Sequence, residues 1–111
     1  MSASIMRQLE DVILRRHQER PPGSYTASLF EAGQDNILKK VAEEAGETII
    51  ASKNASRAEV IYEVGDLVYH LLVLLRWHGI SWAEIEAELA RRYRSTSDQE
   101  GGGDHDLTGP D

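Results

Sequence analysis

Five acidic residues carry the chemistry that this sequence suggests: Glu43, Glu44 and Glu47 in one stretch, Glu63 and Asp66 in another. On a helix, residues three or four apart share a face. Glu44-x-x-Glu47 and Glu63-x-x-Asp66 therefore each present two carboxylates together, and two such pairs on neighbouring helices can converge on one point. Helices packed side by side lie ~8–10 Å apart, within the reach of long carboxylates sharing an ion. Clustered anionic oxygens without sulfur or paired His select a hard cation, Mg²⁺ or Mn²⁺. Taken singly, each acid has an ordinary explanation. Glu43 reads as a solvated helix acid, and Glu44, Glu47 or Glu63 alone as a surface residue or an ion-pair partner of Lys40. The matched triplet spacing is what surface charge has no reason to adopt. A diiron carboxylate bundle normally uses two Glu-x-x-His pairs; none occurs here, and Asp66-x-x-x-His70 is a poor substitute.

These acids need helices to hold them, and helix signals dominate the chain. Over 36–54 an apolar arc runs through Ile37, Leu38, Val41, Ala45, Thr48, Ile49 and Ser52, with Lys40, Glu44 and Glu47 along one border and Glu43 just outside. Asp35 or Asn36 is placed to cap this helix. Over 57–78 the apolar residues Val60, Ile61, Val64, Leu67, Val68 and Leu71 to Leu75 occupy most of the circumference, so this helix is expected to be covered on several sides. Glu63, Asp66 and His70 form a narrow polar stripe along it, where a carboxylate is costly to bury unless paired or bound to a cation. His70 reads most simply as a satisfied core histidine, Tyr62 and Tyr69 as packing residues. A first helix spans 4–19, stopped by Arg20-Pro21-Pro22-Gly23, and one or two helical turns follow over 24–30. Ser56…Glu59 and Ser81…Glu84 are capping boxes that start helices at 57 and 82, with Gly79 closing the first of these and the second running to 94. Strand signals are nearly absent, and the fold class is all-α.

With 111 residues, 41% hydrophobic and 28% charged, the chain reads as one ordinary globular domain. It contains no long apolar run and no basic-then-apolar leader, so neither a membrane partner nor export is expected, and the absence of cysteine fits a cytoplasmic protein. A net charge of -7 argues against nucleic acid as a partner. Residues 98–111 carry five of the 19 acids and no Lys or Arg, and 95–111 reads as a disordered, acidic, Gly-rich tail beyond a helical domain at 1–94.

The acidic spacing looks like the signature of the MazG-like all-α nucleoside triphosphate pyrophosphohydrolases. Three longer segments narrow this: Ser24-Tyr25-Thr26-Ala27-Ser28-Leu29, Lys39 through Glu47, and Tyr62 through Leu75 with its Tyr-His-Leu-Leu-Val-Leu-Leu run. Together they strongly resemble the phosphoribosyl-ATP pyrophosphatase family, over roughly residues 7–94. The resemblance implies a four-to-five-helix bundle completed by homodimerisation, and Mg²⁺-dependent hydrolysis of phosphoribosyl-ATP to phosphoribosyl-AMP and pyrophosphate, the second step of histidine biosynthesis. The cyclohydrolase domain to which such domains are often fused has no room here, so the pyrophosphatase step alone is expected.

On this reading Glu44, Glu47, Glu63 and Asp66 hold the metal, and Glu47 or Glu43 serves as general base. Lys39 and Lys40 meet the phosphates of the nucleotide, with an i,i+4 salt bridge to Glu44 the plain alternative for Lys40. Ser24, Tyr25 and Thr26 contact phosphate or ribose, against the alternative of a helix cap. Arg91, Arg92 and Arg94 read as a solvated basic helix end. Gly46 costs about 1 kcal/mol relative to Ala in a helix, which suggests close helix approach beside the site. Two other functions compete: a house-cleaning pyrophosphatase for simple nucleoside triphosphates, and a non-catalytic helical dimerisation module.

Overall fold

Among the described residues five helices follow one another, and their ends have local chemical causes. The computed structural model describes residues 4–98, and side chains as far as 94. Helix α1 spans Ile5–Glu19, its first turn capped by the Ser4 hydroxyl, which accepts from the Arg7 amide. It ends at Arg20 in the left-handed conformation, ahead of the two prolines that cannot continue it. Helix α2, Tyr25–Ala32, is capped by Ser24, whose hydroxyl accepts from the Ala27 amide at 3.1 Å.

Helix α3 spans Gln34–Lys53 and α4 spans Arg57–Trp77. The expected cap of α3 by Asp35 or Asn36 does not form. Gly33, with φ 95 and ψ 175, serves as both the end of α2 and the cap of α3, and its carbonyl accepts from the Asn36 and Ile37 amides. A positive φ of this size is open to glycine at little cost, so the chain turns between two helices without a linker that a capping side chain would need. Ser56 caps α4 as expected, accepting from the Glu59 amide. Gly79, at φ 70, closes α4 through bonds from the Gly79 amide to the Arg76 carbonyl and from the Ile80 amide to the Leu75 carbonyl.

The first unit ends at Ile80 and contains α1 to α4, with α3 and α4 packed as a helical hairpin. Its core is Ile13 from α1, Ala27, Leu29 and Phe30 from α2, Ile37 and Ala51 from α3, and Leu72 and Val73 from α4. Two polar residues are buried with them, Glu44 and His70. The apolar arc expected on α3 is only partly covered, since Leu38 and Ile49 remain exposed, and so do Ile61, Tyr62 and Val64 on α4. Within one chain, then, α4 is not covered on all the sides its composition requires. Gly46 shows no close approach: a Cβ built there meets nothing within 4 Å.

The second unit holds α5, Trp82–Asp98. Its capping box is complete, with the Glu84 amide donating to the Ser81 hydroxyl and the Ser81 amide donating to the Glu84 carboxylate at 3.0 Å. The helix runs four residues past the expected end at 94, into Ser95-Thr96-Ser97-Asp98, which is polar but holds neither Gly nor Pro to stop it. The remainder of the expected tail lies outside the described residues. Arg91 and Arg92 are exposed and both pair with Glu88, at 2.5 and 2.8 Å, as a solvated helix end would. No helix among the described residues is long and apolar enough to cross a membrane.

Candidate metal centre

The α3–α4 hairpin brings the two acidic motifs face to face. Each of Glu44, Glu63 and Asp66 offers a carboxylate oxygen, and these oxygens lie within 4.8 Å of one another. Glu44 is only 7% exposed, although it lies on a helix whose neighbouring acids Glu43 and Glu47 are exposed. One oxygen of Glu44 and one of Glu63 (Oε1 in each) are buried with no hydrogen-bond partner. Buried polar atoms in folded proteins nearly always have a partner, and one left without costs roughly 1–3 kcal/mol, more when charged. The arrangement is therefore one in which something outside the chain is expected to face those oxygens.

The electrostatics agree. Burial pushes the Glu44 carboxyl up to about 7, helped by its hydrogen bond with Asp66 and then by the charges of Asp66, Glu47 and Glu63. Glu63 is pushed up as well, by burial first and then by the hydrogen bond and charge of Glu47. Like charges gathered in this way hold protons until a cation replaces them. The donor set consists of carboxylate oxygens with no thiolate and no imidazole, which fits a hard divalent cation.

The other residues singled out in the sequence take distinct places. Glu47 lies outside the triad but acts directly on Glu63, from an exposed position. Glu43 is turned away and pairs with Lys40, Nζ to Oε1 at 3.5 Å. The Lys40–Glu44 salt bridge, the plain alternative for Lys40, gives way to an i,i+3 pair with Glu43, because Glu44 is drawn into the hairpin and Glu43 is not. Lys40 is held above its ordinary pKa by the charge that Tyr25 carries when ionised first, and by that of Glu43 second. Lys39 is exposed, and one residue earlier on the helix turns it about 100° from Lys40. Ser24 is the α2 cap, and Tyr25 and Thr26 dock on α4. The Tyr25 hydroxyl lies 3.0 Å from His70 Nε2, and the Thr26 and Tyr69 hydroxyls are hydrogen-bonded to each other.

His70 and Tyr69 are thus tied to a segment that sequence reasoning treated separately. The available signal was the stripe Glu63-Asp66-His70, which placed an imidazole one turn beyond a candidate ligand. Nothing in the sequence told which segment would meet it. Beside Tyr25, at the corner between α1 and α2, opens a groove of about 410 Å³ lined by residues that include Arg20, Pro22, Ser24, Ser28 and Glu31.

A family model described as phosphoribosyl-ATP pyrophosphohydrolase matches residues 6–93, a span that contains the triad and everything docked around it. The chain belongs to that family. Among curated phosphoribosyl-ATP pyrophosphohydrolase relatives, the phosphoribosyl-ATP pyrophosphatase of Pelotomaculum thermopropionicum is 56% identical over 84% of this chain and 95% of its own length. The phosphoribosyl-ATP pyrophosphatase of Pyrobaculum neutrophilum is 46% identical over 85% of this chain and all of its own. The histidine biosynthesis bifunctional protein HisIE of Bacteroides thetaiotaomicron is 46% identical over 82% of this chain, which spans only 45% of that relative.

Proposed function

We propose that the protein hydrolyses phosphoribosyl-ATP to phosphoribosyl-AMP and pyrophosphate, the second step of histidine biosynthesis, with Mg²⁺ (or Mn²⁺) as its cofactor. The observation that carries this reading is the triad of buried Glu44 with half-buried Glu63 and Asp66, two of whose carboxylate oxygens are buried without a partner, lying inside the stretch that matches the family. Glu44, Glu63 and Asp66 would hold the cation, with Glu47 completing the set from the rim. When bound, Mg²⁺ supplies positive charge against the triphosphate oxygens and makes water a better nucleophile.

The chain's own groups do the rest. Glu47 is the better candidate for the general base, since its carboxylate is exposed beside the triad while that of Glu43 is engaged by Lys40. It would accept a proton as water attacks and the bond between the α- and β-phosphates breaks. Lys40, at the same rim, would receive phosphate oxygens, and the groove beside Tyr25 has a volume in the range of small-molecule sites. Ile49, Ile50, Ile61 and Tyr62 are each 60% exposed or more around the tip of the α3–α4 hairpin. Four large apolar side chains left this exposed near one end of a hairpin call for a partner, and a homodimer is the proposed one. The absence of cysteine suits a reducing cytoplasm.

The deciding experiment is pyrophosphate release from phosphoribosyl-ATP with and without Mg²⁺, run beside Glu44→Gln and Asp66→Asn. Metal-dependent release that both substitutions abolish is expected. A preference for simple nucleoside triphosphates would instead identify a house-cleaning enzyme. Calorimetry with no Mg²⁺ binding would leave a non-catalytic module.

A further inference from the structure

Arg20 stands where α1 ends, at φ 52, a conformation that favours glycine over any residue carrying a Cβ. Its side chain is fixed twice. Nε donates to the His17 carbonyl at 2.7 Å, and Cζ lies 5.9 Å from the centroid of the Phe30 ring. Neither hold uses the terminal nitrogens Nη1 and Nη2, and among the described residues no carboxylate forms an ion pair with Arg20. A second guanidinium meets the same histidine. Arg76 Nε donates to His17 Nδ1 at 2.9 Å, and the His17 ring lies against Phe30 at 4.3 Å between centroids. Arg76 also lacks a carboxylate partner among the described residues, so two unbalanced positive charges are gathered around His17.

Arg20 lines the groove of about 410 Å³ together with Ser24, Tyr25, Ser28 and Glu31. Glu31 is exposed and forms no ion pair with Arg20, although both line the same groove. The Ser24 hydroxyl accepts from the Ala27 amide, so its own proton stays available. The groove therefore offers a guanidinium fork, a hydroxyl donor and a carboxylate acceptor. A phosphate matches the first two, and sugar hydroxyls, which donate, match the third. Tyr25 joins this groove to the metal centre. Its hydroxyl lies 3.0 Å from His70 Nε2, and Nδ1 of that ring lies 2.8 Å from the Asp66 carbonyl. One tyrosine and one histidine thus stand between the groove and a member of the triad.

We propose that this groove is a ribose 5-phosphate subsite, in which Arg20 holds the phosphate, Glu31 accepts from the ribose hydroxyls, and the two together select phosphoribosyl-ATP over ATP. The selection rests on the phosphoribosyl-ATP reading; the binding of ribose 5-phosphate does not. Both nucleotides present the same triphosphate to the triad. They differ in the ribose 5-phosphate carried on the adenine, so a preference between them has to be read from that arm. A site whose polar groups are left unmatched by an analogue discriminates against it.

Titrating ribose 5-phosphate into the nitrogen-15-labelled, metal-free full chain in EDTA tests the subsite apart from catalysis. Without a cation the acidic triad repels phosphate. The amide resonances of Gly23, Ser24 and Ser28 should therefore shift saturably while those of Glu44 and Glu63 stay in place. Arg20→Gln should weaken this binding roughly 10- to 100-fold, the scale of hydrogen bonds to a charged group. Arg20→Lys, which keeps the charge and loses the fork, should fall between the two. Glu31→Gln should weaken ribose 5-phosphate several-fold and leave inorganic phosphate as it was. Absence of shifts at the groove overturns the proposal, and so does inorganic phosphate bound as tightly as ribose 5-phosphate.

In pyrophosphate-release assays with saturating Mg²⁺, the ratio of kcat/KM for phosphoribosyl-ATP to that for ATP should fall in Arg20→Gln by the same factor. Equal losses on both nucleotides would show that Arg20 only shapes the corner between α1 and α2, and would overturn the proposal. Should Arg20→Gln fail to fold, Glu31→Gln at its exposed position decides, and an unchanged affinity for ribose 5-phosphate sinks the proposal. A wild type that releases no pyrophosphate from phosphoribosyl-ATP defeats the function reading, and the titration then decides the subsite alone.

Discussion

Replacing Glu44 by Gln should make the metal-free protein more stable while destroying its use for a metal. Glu44 titrates at about 7 in the fold against an ordinary value of 4.5, with burial the main cause. The folded chain therefore binds this proton more tightly than the unfolded chain. That contribution is fully present below pH 4.5 and is lost as pH rises through 7. At about 1.36 kcal/mol per pH unit, the interval bounds the cost of ionising Glu44 at about 3.4 kcal/mol. Exposed Glu43 and Glu47 beside it show that solvent reaches the rim, and screening reduces the expected value to ~1–2 kcal/mol.

Gln has the shape of a protonated Glu and cannot ionise, so Glu44→Gln avoids this cost at every pH. Thermal denaturation in EDTA at fixed protein concentration should show the variant melting roughly 5–10 °C above wild type at pH 8. The two should melt nearly together at about pH 4, below the ordinary value of 4.5. Adding Mg²⁺ at pH 8 should raise the wild-type Tm and leave the variant where it was, because only a ligand that binds the folded state stabilises it. A variant that melts below wild type at pH 8 without metal would refute the reasoning, since Glu44 would then be satisfied by the chain itself.

Asp66→Asn keeps the geometry of α4 but removes a charge from the triad; isothermal calorimetry should find Mg²⁺ affinity weakened by at least ten-fold, on the scale of losing one charged contact. Ile37→Ala empties a fully buried position where α3 meets the core, and urea unfolding should report a loss of about 2–5 kcal/mol with the midpoint shifted at similar slope. Ile61→Lys places a charge on an α4 site that is 61% exposed in the single chain; sedimentation should show the wild type as a dimer and the variant as a monomer, and an unchanged profile would remove the proposed interface.

The helices were legible because their causes are local. Ser4, Ser24, Ser56 and Ser81 each begin a helix, and Gly79 ends one, with signals that lie within three residues of the boundary. Where the cause was a backbone angle, the reading failed: Gly33 took over the cap expected of Asp35 or Asn36 because its positive φ let two helices meet directly. The end of α5 was misplaced for the opposite reason. Ser95 to Asp98 hold no residue that forbids a helix, and polarity alone does not end one.

For the site, the sequence determined that four carboxylates come in two matched pairs on two helices, because helical periodicity converts spacing directly into facing. It did not determine their inequality. Only the packing of α3 against α4 decided that Glu44 is buried, that Glu47 stays at the rim and that Glu43 turns to Lys40, since these three occupy successive directions around one helix and their burial depends on where the second helix lies. The contact of Tyr25 with His70 joins positions 45 residues apart. No local rule reaches that far, and which segment meets His70 follows from the tertiary structure alone.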